Sequence, residues 1–264
     1  MVFESIYMVR GGAFGEDFDI QFFLSVAAFA VCLVDWRIKH RKDYFWVFLT
    51  GSIVWTLAEL VIQLTGVRVM GTKYLFGFPI PLAVSVVLQG IAEGAAIAIL
   101  GICIGDLLMA KSSRKAGIIA FVIILASVAI LSLAEFRPAP DVGGDVPSRR
   151  DMFAIGPLLF VCAFSTIGVV WLWWTDRAAR ARGLWMLLVM IIFASVWTLF
   201  EFSANTRWIE VGTLGNLALA PPAIEFGAFA WDVVVEIGLM YVPFLAIPHA
   251  LKLMNPKEVR EKQV

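Results

Sequence analysis

The chain is short of most groups on which soluble enzymes rely. Its 264 residues include only three cysteines and two histidines. Cys32, Cys103 and Cys162 all fall inside apolar runs and read as buried thiols, not as a disulfide framework. No phosphate loop, dinucleotide fingerprint, HExxH or GxSxG string occurs. Formal net charge is zero, so no excess of one sign points to a nucleic-acid partner. The first 19 residues mix charges and glycines without an apolar core, so a cleavable signal peptide is not expected. The most consequential shortage is of basic residues: no Lys or Arg lies inside any of the apolar runs.

Those runs are what the chain has in abundance. Hydrophobic residues make up 61% of it and mean hydropathy is +0.87, against roughly 45–50% apolar residues in a soluble domain. Stretches of about 20 apolar residues recur, the length that crosses about 30 Å of hydrocarbon. The runs are continuous and do not alternate, which favours helices over a β-barrel. The pattern predicts an all-α integral membrane protein with seven transmembrane helices, over about 20–37, 45–65, 79–109, 116–135, 153–175, 184–204 and 222–251. Basic loops 37–43, 110–115 and 176–183 alternate with longer Gly- and Pro-rich ones. The basic loops and the C-terminal tail hold 14 of the 21 Lys and Arg. The positive-inside rule then places the N-terminus outside and the C-terminus in the cytoplasm. A bilayer partner follows, with the plasma membrane of a prokaryote as the expected location.

An internal repeat is legible. VWTLAELVIQ (54–63) and VWTLFEFSAN (196–205) align at an offset of 142 residues, matching Trp55, Glu59 and Gln63 with Trp197, Glu201 and Asn205. Gln89 and Glu93 on helix 3 match Asp232 and Glu236 on helix 7 at an offset of 143. Helix 4, AGIIAFVIILASVAILSL, carries no ionisable group and suits a lipid-facing connector. The reading is a single membrane domain (1–264) with a 3+1+3 parallel repeat: about 17–109, connector 116–135, and 153–251.

Glu59, Glu93, Glu201, Asp232 and Glu236 are the expensive residues. An ionised carboxylate at a helix centre costs about 2.5–3.5 kcal/mol on insertion scales. With no base inside the runs, the acids are protonated, face water or hold a cation. Glu93 and Glu236 fall near mid-membrane; Glu59 and Glu201 lie nearer the outer ends. For those two, Arg68 and Arg207 folding back from outer loops is the competing reading. Trp55 and Trp197 are expected beside the outer pair, as indole donors or π faces. The candidate site is therefore Glu93, Glu236, Glu59, Glu201, Asp232, Gln89, Trp55 and Trp197, handling protons or a small cation through proton-coupled transport. A membrane-embedded enzyme acting on a lipid or isoprenoid, and a non-covalent binder of an apolar ligand or subunit of a larger complex, are the alternatives. The sequence names no catalytic motif and leaves any metal or cofactor undefined.

VWTLFEF (196–202) on helix 6 and WDVVVEIGL (231–239) on helix 7, with seven helices and an outside N-terminus, resemble the microbial rhodopsins. The resemblance implies a seven-helix bundle around a ligand pocket. Glu236 stands where that family carries its retinal-binding lysine, and Gln89 and Glu93 replace its helix-3 pattern, so covalent retinal is not expected.

Overall fold

A computed structural model describes residues 7–10, 18–134, 149–203, 207–211 and 216–254. The chain is mostly helical. Seven helices are described: α1 (Asp19–Lys39), α2 (Asp43–Leu64), α3 (Leu82–Met109), α4 (Arg114–Ala134), α5 (Ile155–Trp174), α6 (Arg177–Ser203) and α7 (Pro222–Ala250). Among the described residues, α1, α2, α3, α5, α6 and α7 are long and apolar enough to cross a membrane. Those six helices are the composition of an integral membrane protein.

Six boundaries fall close to expectation. The exception is α6, which begins at Arg177 and not near 184. Asp176 explains it. Its Oδ1 accepts hydrogen bonds from the backbone N–H groups of Ala178 (2.9 Å) and Ala179 (3.1 Å), the work of an N-cap. The following Ala and Arg residues are good helix formers. A stretch that reads as a basic loop is thus about two turns of helix, and Arg182 lies inside it.

The all-α expectation also needs correcting. The Gly- and Pro-rich loops form strands: β1 (Tyr7–Arg10), β2 (Arg68–Val69), β3 (Lys73–Leu75), β4 (Phe78–Ile80), β5 (Arg149–Asp151), β6 (Arg207–Glu210) and β7 (Leu217–Leu219). Strands β3 and β4 make a hairpin; the others form one antiparallel sheet in the order β2-β5-β1-β6-β7. Strands of two to four residues leave no usable alternation in the sequence. Connectivity gathers this sheet at one end of the bundle, called here the sheet end.

α3 and α7 form the centre. Each is buried over 61% of its most apolar window, against 22% for α1, α2 and α5. α3 packs on α1, α2, α4 and α6, and α7 packs on α2, α5 and α6. Glycines let α3 lie close to α2: a Cβ at Gly94 would stand 2.4 Å from the Gly51 carbonyl oxygen and 2.5 Å from Trp55 Cβ. Both central helices depart from α geometry. α3 is a π-helix over Gly90–Ala96. α7 is a π-helix over Trp231–Glu236 and tightens to a 3-10 turn over Leu239–Tyr241. Such wide turns cluster at functional sites, and here they carry Glu93, Asp232 and Glu236. α4 presents Ile118, Ile119, Val122 and Ile123 outward and packs Phe121 and Val128 inward.

Candidate functional site

The five acids meet the sheet. Arg68 on β2 donates from Nη1 to Glu59 Oε2 at 2.7 Å, and the same nitrogen is 3.7 Å from Glu93 Oε2. Arg150 on β5 donates to Glu236 Oε1 at 2.5 Å. Arg207 on β6 donates to Asp232 Oδ2 at 2.9 Å and from Nε to Glu201 Oε2 at 2.7 Å. A lack of basic residues within the helices therefore does not leave the acids without counter-charges. Arginine's long stem carries a guanidinium into the bundle from a strand outside it. The fold-back of Arg68 onto Glu59 and of Arg207 onto Glu201 is what the structure contains.

Arg68 serves more than one acid. Burial pulls its guanidinium down, but Glu59, Glu93 and Glu236 outweigh that and hold it above its ordinary range. Burial likewise opposes the charge of Arg207, which Glu201 and Asp232 restore and raise.

Neutral donors complete the set. Trp55 Nε1 donates to Glu93 Oε2 at 3.1 Å, so this indole serves α3 and not Glu59 on its own helix. Gln89 donates from Nε2 to Glu93 Oε1. Gln63 donates to Glu59 Oε1 at 2.6 Å. Trp231 Nε1 donates to Glu236 Oε2 at 2.9 Å. The Tyr241 hydroxyl donates to the Glu93 backbone carbonyl, tying the 3-10 turn of α7 to the π-helical turn of α3. Trp197 packs its ring on Phe193, 6.0 Å between centroids, beside the apolar cluster of α3, α4 and α6. Asn205 lies outside the described residues.

The candidates thus fall into two groups. Glu59, Glu93, Glu236, Gln89 and Trp55 share the surroundings of Arg68 and Arg150. Glu201 and Asp232 share Arg207. Side-chain exposure separates them further: Glu93 is 30% exposed and Glu59 1%. Arg150, Trp231 and Tyr241 were not legible as site residues. Arg150 sits in RRD (149–151), a string with no helical context, and only strand pairing brings it over α7.

A second charged network closes the other end. Arg182 on α6 donates from Nε and Nη2 to the two oxygens of Asp106, both at 2.8 Å, and from Nη1 to Asp43 at 2.7 Å. Tyr44 donates to Asp106 Oδ2 at 3.0 Å. Arg41 grips Asp35 through Nε and Nη2, both at 2.9 Å, and Lys39 adds a third contact. Asp35 is therefore buried and paired, not solvated as its place beside a basic loop suggests. His249 accepts a hydrogen bond from Trp171 at 3.3 Å. Between the two networks lies an apolar layer of Ile99, Ile102, Met186, Met190, Met240, Phe244 and Leu245.

Among the described residues, no three His, Cys, Asp or Glu side chains cluster as a metal site requires. Comparison with family models, curated proteins and solved structures finds no match to this chain.

Proposed function

We propose that the chain binds a proton or one monovalent cation at Glu93 and passes it across the bilayer, in the manner of proton-coupled transport. One observation carries the reading. Three carboxylates, Glu59, Glu93 and Glu236, surround two guanidiniums, Arg68 and Arg150. With every group ionised, this set has an excess of one negative charge. Glu93 is where the excess resides. Its hydrogen bonds come from neutral Trp55 and Gln89, Arg68 stands 3.7 Å away, and it is the most open of the three. Its neighbours Trp55 and Gln89 present N–H groups, which cannot ligate a metal, so the site lacks the cage of oxygens a divalent ion needs.

The surroundings fit a gated path. The apolar layer blocks passage below Glu93. The network beyond it sets Asp35, Asp43 and Asp106 against Lys39, Arg41 and Arg182, three charges of each sign. In the 3+1+3 arrangement with an outside N-terminus, the sheet end faces outward and the balanced network faces the cytoplasm. The resemblance to microbial rhodopsins enters this reading only as a shared seven-helix layout.

The test is thermal stability of the detergent-solubilised protein over pH and a panel of monovalent cations. A ligand of the folded state stabilises it by RT ln(1 + [L]/Kd). The wild type should gain stability saturably with the proton or one cation, and E93Q should not. Identical responses of wild type and E93Q would refute the assignment. E93Q is the cleaner variant, because E236Q would strand Arg150.

A further inference from the structure

The sheet does more than cap the bundle. Its order places two arginine-bearing units on either side of β1. β2 and β5 pair with each other, with Arg68 opposite Arg150. β6 and β7 form the other unit and carry Arg207. β1 pairs with β5 along one edge, through Tyr7↔Asp151, Met8↔Arg150 and Val9↔Arg149. It pairs with β6 along the other edge. Within the sheet's ladder, β1 is the joint between the two units.

The β2–β5 unit is the one over Glu93, since it supplies both Arg68 and Arg150. It is also the poorer fit. The Nε atoms of Arg149 and Arg150 are buried without a hydrogen-bond partner. A buried donor left unpaired costs free energy that exposure to water recovers. Across the joint, Arg149 donates to Glu210 on β6 at 2.7 Å and lies over the Tyr7 ring at 4.7 Å. Both contacts break if β5 parts from β1.

We propose that the β2–β5 unit is a lid on the acidic site, hinged at its helices and fastened by β1. Parting of the β1–β5 seam withdraws Arg150 from Glu236, hydrates the two orphaned Nε atoms and widens the access of the proton or cation to Glu93, which is 30% exposed with the seam closed. The proposal rests on the reading of Glu93 above for what enters, but the motion is measured without any ion.

The experiment locks the seam. Facing residues of antiparallel strands lie within the Cα separation a disulfide spans. Tyr7→Cys with Asp151→Cys, in a background with Cys32, Cys103 and Cys162 changed to Ala, provides the lock. The readout is modification of native Glu93 by a water-soluble carbodiimide with glycine ethyl ester, followed by peptide mass spectrometry. The oxidised form should react at least tenfold more slowly than the reduced form. R150Q, which needs no cysteine, should react several-fold faster than wild type. Equal rates in oxidised and reduced protein, or R150Q no faster than wild type, would overturn the lid. If the paired cysteines prevent folding, the R150Q comparison decides alone. Failure of the ion reading appears elsewhere, as identical ligand responses of wild type and E93Q, so the two failures are distinct.

Discussion

Arg182 offers a direct test of the balanced network. Its guanidinium makes a two-pronged contact with Asp106, 2.8 Å on each side, and a third bond to Asp43 at 2.7 Å. The side chains are 7%, 12% and 3% exposed, so solvent screens little of the interaction. R182Q removes the cation that bridges the two buried carboxylates and leaves Asp106 with Arg41 at 3.6 Å. Removing one partner from a buried ion pair costs about 3–5 kcal/mol, most of it from the charge left behind. At about 2–4 °C per kcal/mol for chains of roughly this size, the melting temperature in detergent should fall by roughly 6–20 °C. The same reasoning demands a rescue. D106N in the R182Q background removes one stranded charge and should recover part of the loss, with a coupling of about 0.5–3 kcal/mol. R182K keeps the charge but not the fork, and should fall between. Thermal unfolding of R182Q, R182K, D106N and the R182Q/D106N pair beside wild type, followed by loss of the monodisperse gel-filtration peak, measures all of this. R182Q within about 2 °C of wild type, or D106N making R182Q worse, would refute the argument that charge stranding dominates.

Two further outcomes follow from the geometry. G94A should destabilise by about 1–3 kcal/mol, because the new Cβ meets backbone of Gly51 and the Trp55 Cβ. G156A is the control: nothing lies within 4 Å of its added Cβ, so its melting temperature should stay level or rise. The second concerns pH. Arg68 has its folded pKa raised above the ordinary arginine value, so its stabilisation is present below that value and lost only above it. The deficit of R68Q relative to wild type should therefore stay constant from about pH 7 to 10. A deficit that shrinks across that range in thermal scans would show that Arg68 does not carry the pairing with Glu59.

How much of this was legible depends on the range of the interaction. Helices with 20 apolar residues announce themselves, and the seven-segment reading placed most boundaries well. Glu59, Glu93, Glu201, Asp232 and Glu236 stood out because a carboxylate inside an apolar run is costly. Their partners did not stand out to the same degree. Arg68 and Arg207 follow their helices closely enough to be anticipated on Glu59 and Glu201. Arg150 reaches Glu236 across 86 residues, through a strand of three residues that no periodicity reveals. Arg182 was hidden for a different reason. DRAARARG has the composition of a basic loop, and only capping by Asp176 turns it into helix and buries its last arginine. Trp55 shows the limit of repeat logic. Its place on the face of Glu59 suggested a partner on the same helix, yet close approach at Gly51 and Gly94 hands the indole to Glu93.

The contacts of the α2–α3 pair can be set beside those of the α6–α7 pair. By sequence, Glu93 matches Glu236. By partners, Glu93 resembles Asp232 instead. Arg68 stands between Glu59 and Glu93, and Arg207 stands between Glu201 and Asp232. Each arrangement is an arginine from the strand after a helix, a glutamate from the C-terminal part of that helix, and an acid from the π-helical turn of the next. Glu236 is then an extra acid of the α6–α7 pair, one turn further along α7 than Asp232, with Arg150 as its own added cation. The asymmetry has a consequence. Arg207 donates close hydrogen bonds to both its acids, whereas Arg68 bonds Glu59 and only approaches Glu93. The unequal sharing of Arg68 leaves Glu93 bonded to the neutral donors Trp55 and Gln89, and the proposed exchange at Glu93 rests on that asymmetry.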